Sequence, residues 1–156
     1  SGAPTARCRS PSAYLGMLAI VADQFGLGVL APLLPFRVAR PLGVGVVLTC
    51  QYAAVVVGQL AMGALSDRIG RRRCLALVML ADAALFAATA WATTLAALVA
   101  VRVLVGIFAP VSLAISWVAD VSEGAPSAVY RRHFAHVGLS FNVGALLGSA
   151  LGGALG

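Results

Sequence analysis

Charge is scarce in this chain. Only 10% of its 156 residues are charged, against roughly 25% in soluble proteins, and the mean hydropathy is +0.98. An ordinary soluble domain is excluded. Lysine is absent, so the net charge of +6 is carried by arginine alone. Those arginines fall in short clusters between apolar runs rather than along one face, which speaks against a nucleic-acid-binding surface. Cysteine is sparse too. Cys8, Cys50 and Cys74 are an odd set without CxxC spacing, and Cys50 lies inside an apolar run. They make neither a disulfide framework nor a zinc site and read as small apolar fillers. His133 and His136, one helical turn apart, are too few to hold a metal. No nucleophile is paired with a base, and the strip Gly63 to Arg73 lacks the Gly-Lys-Ser/Thr ending of a phosphate-binding loop. The chain is expected to be no enzyme and to hold no cofactor or metal.

What remains is apolar sequence in lengths that suit a bilayer. About 20 residues of α-helix cross a hydrocarbon core of about 30 Å, and five such spans are predicted at about 14–34, 43–65, 75–91, 95–118 and 134–156. The chain reads as an all-α integral membrane protein. Residues 1–13 form a polar lead without an apolar core of its own, hence not a cleaved signal peptide. Pro32 and Pro35 mark the far end of the first span. Arg37, Arg40 and Pro41 form the next loop, and Asp120 to Arg132 a later one with Glu123, Gly124 and Pro126 as breakers. Thr93-Thr94 leaves room only for a hairpin, so the third and fourth spans should be antiparallel neighbours. Arg7, Arg9, Arg68, Arg71, Arg72, Arg73, Arg131 and Arg132 fall on one side, Arg37 and Arg40 on the other. The arginine-rich side is normally cytoplasmic. The amino terminus is therefore expected inside, in a plasma or inner cell membrane.

The strip between the second and third spans organises the rest. Gly63-Ala64-Leu65-Ser66-Asp67-Arg68-Ile69-Gly70-Arg71-Arg72-Arg73 sets a carboxylate among arginines. Arginines alone would serve as a positive-inside anchor. Asp67 gives up positive charge, so a specific ion pair is the more economical account. Gly63 and Gly70 suit close helix approach and a tight turn. The pattern Gly-x-x-x-Asp-Arg-x-Gly-Arg-Arg resembles the signature loop between the second and third helices of major facilitator superfamily transporters, with every position filled. That resemblance implies that Asp67 and Arg71 pair with an acid at the end of the fourth helix, here Asp120. It further implies that this cluster, with Arg68 and Arg72 at the family's other basic positions, latches one cytoplasmic closure state. The fold implied is the major facilitator fold, built from three-helix repeats, and the chain would be the first five helices of an incomplete N-terminal six-helix bundle. It opens without an initiator Met and stops in an apolar run, so a sixth span and a C-terminal half are expected in addition.

Ionisable residues inside spans are the next candidates. Asp23 lies nine residues past Tyr14, about 13 Å along a helix, too deep for a short side chain to reach either interface. It should face a cavity, where it exchanges a proton, or a neighbouring helix, to which it hydrogen-bonds. The stretch from Asp23 to Pro35 resembles the first helix of the twelve-helix drug:proton antiporters, tetracycline exporters among them, in its acidic residue and both prolines. Arg102 enters about 10 Å from the outer end of its span, where a long side chain could snorkel outward. The sequence Arg102-Val103-Leu104-Val105-Gly106 also resembles the family's fourth-helix motif, to which a proton-coupling role is ascribed. Counted from opposite faces of the core, Asp23 and Arg102 differ in depth by only about 7 Å, so an ion pair that opens and closes with protonation fits. Asp82 sits about 10 Å from the cytoplasmic end of its span. It reads as a second protonation site, a partner for Arg102, or a polar contact reached by water. Gln24, Gln51, Gln59 and Asn142 read as interhelical hydrogen-bonding groups or substrate contacts.

The fifth span carries Gly144, Gly148, Gly152 and Gly156 at intervals of four, with Gly153 beside them. Such a stripe lets another helix pack closely. Gly144 to Gly153 resembles the antiporters' fifth-helix motif, Gly-x-x-x-Gly-Pro-x-x-Gly-Gly, with Ser149 where the family has proline. Together the motifs imply a secondary active transporter, a proton-coupled exporter of a drug-like or other small amphipathic molecule. Its partners would be that substrate, protons, the lipid bilayer and the second half of the same transporter. Two alternatives stand beside it: a metabolite or sugar carrier with the same first half, which the serine at 149 favours, and a non-transporting membrane segment.

Overall fold

The computed structural model describes residues 10–38 and 41–155. The expectations placed on Arg7, Cys8, Arg9, Arg40 and Gly156 lie outside the described residues. Among the described residues the chain is helical almost throughout: α1 (Ser10–Arg37), α2 (Pro41–Ile69), α3 (Arg71–Trp91), α4 (Leu95–Ile107), α5 (Val111–Val121) and α6 (Ser127–Leu155). With α4 and α5 taken as one broken span, five segments are long and apolar enough to cross a membrane. The helices outrun the apolar runs at several ends. At 1.5 Å per residue the 28 residues of α1 extend about 42 Å, more than the about 30 Å of a hydrocarbon core, so its ends reach the headgroup region.

Three local features differ from the sequence reading. Helix α1 passes through Pro32 and Pro35 to Arg37 rather than stopping at the prolines; each removes one backbone hydrogen bond and crowds the carbonyl four residues back, which membrane helices tolerate where neighbouring groups satisfy the freed backbone. The charged strip is hardly a loop: α2 and α3 are separated by Gly70 alone. Gly70 has φ +89°, a left-handed conformation open to a residue without Cβ, and its N–H donates to the Ser66 carbonyl at 3.0 Å while its own carbonyl accepts from Cys74 N–H at 3.0 Å. The fourth span breaks at 108–110. Pro110 has no N–H to continue the ladder and disfavours helical geometry at Ala109; the chain tightens there, Ala109 N–H reaching back to the Gly106 carbonyl at 3.3 Å, before α5 begins.

Two glycine-lined crossings set the bundle. Val21, Phe25 and Val29 of α1 meet Gly144, Gly148 and Gly152 of α6 in the same order, so these helices run parallel. A Cβ at Gly144 would stand 2.6 Å from the Val21 carbonyl oxygen, and one at Gly148 or Gly152 would collide with the carbonyls of Phe25 and Val29. Helices α2 and α4 repeat the arrangement: Gly106 rests on the Gln51 carbonyl and Ala54, and Gly58 on Ile107. Ala19 and Ile20 of α1, Cys74, Leu75 and Val78 of α3, and Leu113 and Ala114 of α5 form the main apolar core. Thr94 caps α4, its hydroxyl accepting from Ala97 N–H at 3.2 Å, and returns the chain antiparallel to α3.

Candidate functional site

The polar residues gather at two levels. In the bundle interior, Asp23 is 3% exposed, Asp82 4% and Arg102 0%, although they come from α1, α3 and α4. Among the described residues no side-chain ion pair within 4 Å joins Arg102 to either carboxylate. The guanidinium does not snorkel. Its Nη2 donates to the Thr89 hydroxyl at 2.6 Å, its carbon lies 5.0 Å from the centroid of the Phe86 ring, and among the described residues Nε and Nη1 have no partner, nor has Asp82 Oδ1.

Thr89 is the joint that the sequence reading missed. Its hydroxyl donates to the Leu85 carbonyl at 2.9 Å while accepting from Arg102, and its carbonyl accepts from Arg37 Nη1 at 3.0 Å. Two arginines, from α1 and α4, thus converge on the last turn of α3, where the helix dipole is negative. In the sequence Thr89 is one more hydroxyl near a turn, and Arg37 one more loop arginine. The antiparallel packing of α3 on α4 brings Arg102 to Thr89, and the end of α1 brings Arg37 to the same turn. Gln51 is also buried, with Oε1 lacking a partner. Gln24 is buried, Gln59 half-buried and Asn142 exposed; the Asn142 amide donates to the Gly138 carbonyl one turn back.

At the other level, the charged strip meets the end of α5. Arg71 Nε stands 3.0 Å from Asp120 Oδ2, and Arg71 Nη2 3.8 Å from Asp67 Oδ1, so Asp67, Arg71 and Asp120 form one cluster across α2, α3 and α5. Arg68, Arg72 and Arg73 are exposed around it. Gly63 makes no close approach among the described residues, since a Cβ there would meet nothing within 4 Å; its carbonyl accepts from the Ser66 hydroxyl at 2.7 Å, and it borders a cleft of about 160 Å³ beside Asp67 and Arg71. Nearby, the buried Ser122 hydroxyl and His133 Nδ1 are 2.7 Å apart, tying the end of α5 to α6, a contact the sequence reading did not foresee. Of the α6 glycines, Gly144, Gly148 and Gly152 pack on α1, whereas Gly153 faces open space. Gly106, read with Arg102 as one motif, serves the α2 crossing. No group of three or more His, Cys, Asp or Glu suited to a metal occurs among the described residues.

The five apolar spans agree with the comparisons with known proteins. The family model described as Major Facilitator Superfamily matches residues 16–156. The chain belongs to the major facilitator superfamily. Similar members of that superfamily are the class H tetracycline resistance protein of Pasteurella multocida, 32% identical over 148 residues, covering 90% of this chain and 36% of the relative, and the class C tetracycline resistance protein of Escherichia coli, 32% identical over 161 residues, covering 95% and 39%. The chain thus spans little more than a third of the length of the curated relatives it matches. No solved structure matches it. In superfamily terms this is a multi-pass membrane chain with the helix content of an N-terminal portion.

Proposed function

We propose that this chain supplies one wall of a secondary transporter that exports a small amphipathic molecule in exchange for protons. The observation that carries the reading is the burial of two carboxylates and a guanidinium, Asp23, Asp82 and Arg102, within the apolar spans, a costly arrangement in a membrane and by default a functional one. In this reading Asp23 and Asp82 take up and release the proton. Arg102, held by Thr89, compensates their charge when both are ionised. The Asp67, Arg71 and Asp120 cluster is the conformational gate at the cytoplasmic face, with Arg68, Arg72 and the Gly70 turn positioning it. The likeness to two tetracycline resistance proteins supports a drug-like substrate, bound near the midplane between two halves. A proton entering from outside gains about 2.3 kcal/mol per 100 mV, which drives such a substrate outward. A metabolite or sugar carrier is the second reading, favoured by α6 running unbroken through Ser149, where the antiporter motif has proline.

The test is substrate uptake into inside-out vesicles carrying the full-length protein. Accumulation that an ionophore abolishes, and that Asp23→Asn lowers at least about tenfold, equivalent to about 1.4 kcal/mol, is expected. Accumulation indifferent to both would remove proton coupling and leave the carrier reading.

A further inference from the structure

We infer that the cavity between α1, α3 and α4 is a binding site for a small organic anion, a carboxylate or phosphate on an aromatic or apolar body, with Arg102 as its anchor. The cavity measures about 280 Å³; its walls include Phe25, Val29 and Leu33 of α1 and Phe86 of α3, with Arg102 and Arg37 supplying the charge. Arg102 is completely buried, yet only one of its three nitrogens is engaged, by Thr89. Its Nε and Nη1 lack partners among the described residues, and buried donors of a cation are strongly disfavoured without an acceptor. No carboxylate lines the cavity. Among the described residues Asp82 makes no ion pair with Arg102, and it is not part of the wall.

The lining selects the rest of the ligand. Phe86 stands beside the guanidinium, its centroid 5.0 Å from the guanidinium carbon, and Phe25 lines the same space. A ring can therefore lie against the phenyl groups while its carboxylate accepts from Arg102. Arg37, already directed at the Thr89 carbonyl, adds positive charge, so cations are repelled, and a neutral amide isostere offers Arg102 one carbonyl acceptor without the charge or the second oxygen of a carboxylate. The volume is at the small end for ligand sites and suits a single-ring molecule. The cavity is lined by this chain alone, and its test does not depend on transport.

The same chemistry could come from a free aromatic acid or from the headgroup of an anionic lipid. The full-length protein in phosphatidylcholine nanodiscs is titrated with salicylate and, separately, with salicylamide, followed by saturation-transfer NMR with the empty-nanodisc signal subtracted. Salicylate is expected to bind about tenfold more tightly than salicylamide, a difference of about 1.4 kcal/mol. Arg102→Gln should abolish that preference, and Phe86→Trp, which fills the cavity, should abolish binding of both. Equal affinity for the two probes in the unmodified protein would overturn the inference, as would a preference that survives Arg102→Gln. Should Arg102→Gln fail to fold, salicylate binding undiminished by Phe86→Trp would overturn it equally. Repeating the titration with phosphatidylglycerol in the nanodiscs assigns the source: unchanged affinity supports a free acid, and competition by the added lipid supports a headgroup at the same anion site.

Discussion

Thr89 shows how much one hydroxyl can hold. It accepts from a fully buried guanidinium at 2.6 Å, and hydrogen bonds to charged groups contribute about 1.5–3 kcal/mol each. Thr89→Val keeps the shape and removes the acceptor, so thermal unfolding in nanodiscs should show a loss of about 2 kcal/mol. Thr89→Ser, which keeps the hydroxyl, should stay close to the parent; equal losses for both would show that the methyl group, not the hydrogen bond, matters. Arg71 presents the opposite case. Its side chain is 35% exposed and that of Asp120 45%, and ion pairs so open to solvent contribute at most about 1 kcal/mol. Arg71→Ala should therefore barely move the unfolding midpoint, while transport in vesicles falls if the cluster is a gate. Exchanging the charges, Arg71→Asp with Asp120→Arg, should recover part of that transport; no recovery would count against the pair as a latch.

At the scale of the helix, the glycines divide sharply by position. Gly148 is wedged against the Phe25 carbonyl, and a Cβ there has no room because the obstacle is backbone. Gly148→Ala should force α1 and α6 apart and cost about 1–3 kcal/mol. Gly153→Ala, one turn and a residue further on, meets nothing and should be neutral or slightly stabilising, given alanine's advantage of about 1 kcal/mol in a helix. The unfolding midpoints of the two variants decide it: similar losses would mean that the crossing is not what the stripe is for. The four-residue spacing of the stripe was legible in the sequence, but not its partner. In lipid the outer surface is as apolar as the interior, so hydropathy marks five spans without marking which face of each is buried. Leu42, Leu60 and Leu80, all more than 70% exposed, are indistinguishable in sequence from Leu34 or Leu98 in the core. The charged residues carried the readable information, because each must be accounted for. Asp67, Arg71 and Asp120 could be set together from the motif, whereas Arg102 with Thr89, and Ser122 with His133, depend on helix crossings that no local pattern records. The break at Pro110 was visible as a proline and went unread, since a bilayer helix often tolerates one, as α1 does twice.

For the molecule as a whole, we propose from the five candidate spans among the described residues and from the arginine distribution an orientation that can be tested directly. The Gly70 turn between α2 and α3 and the 92–94 turn between α3 and α4 lie at opposite ends of α3, so they must face opposite compartments. By the positive-inside rule, the arginine excess beside Gly70 is expected to put that end in the cytoplasm. Replacing Cys8, Cys50 and Cys74 with Ala or Ser and introducing either Arg73→Cys or Thr93→Cys gives two single-cysteine proteins, each label site being exposed. In intact cells a membrane-impermeant maleimide should modify Thr93→Cys at once and Arg73→Cys only after permeabilisation. The reverse pattern would invert the chain. It would put the Asp67 cluster on the outer face, where it could not be a cytoplasmic gate, and would reverse the direction in which Asp23 and Asp82 meet the proton gradient.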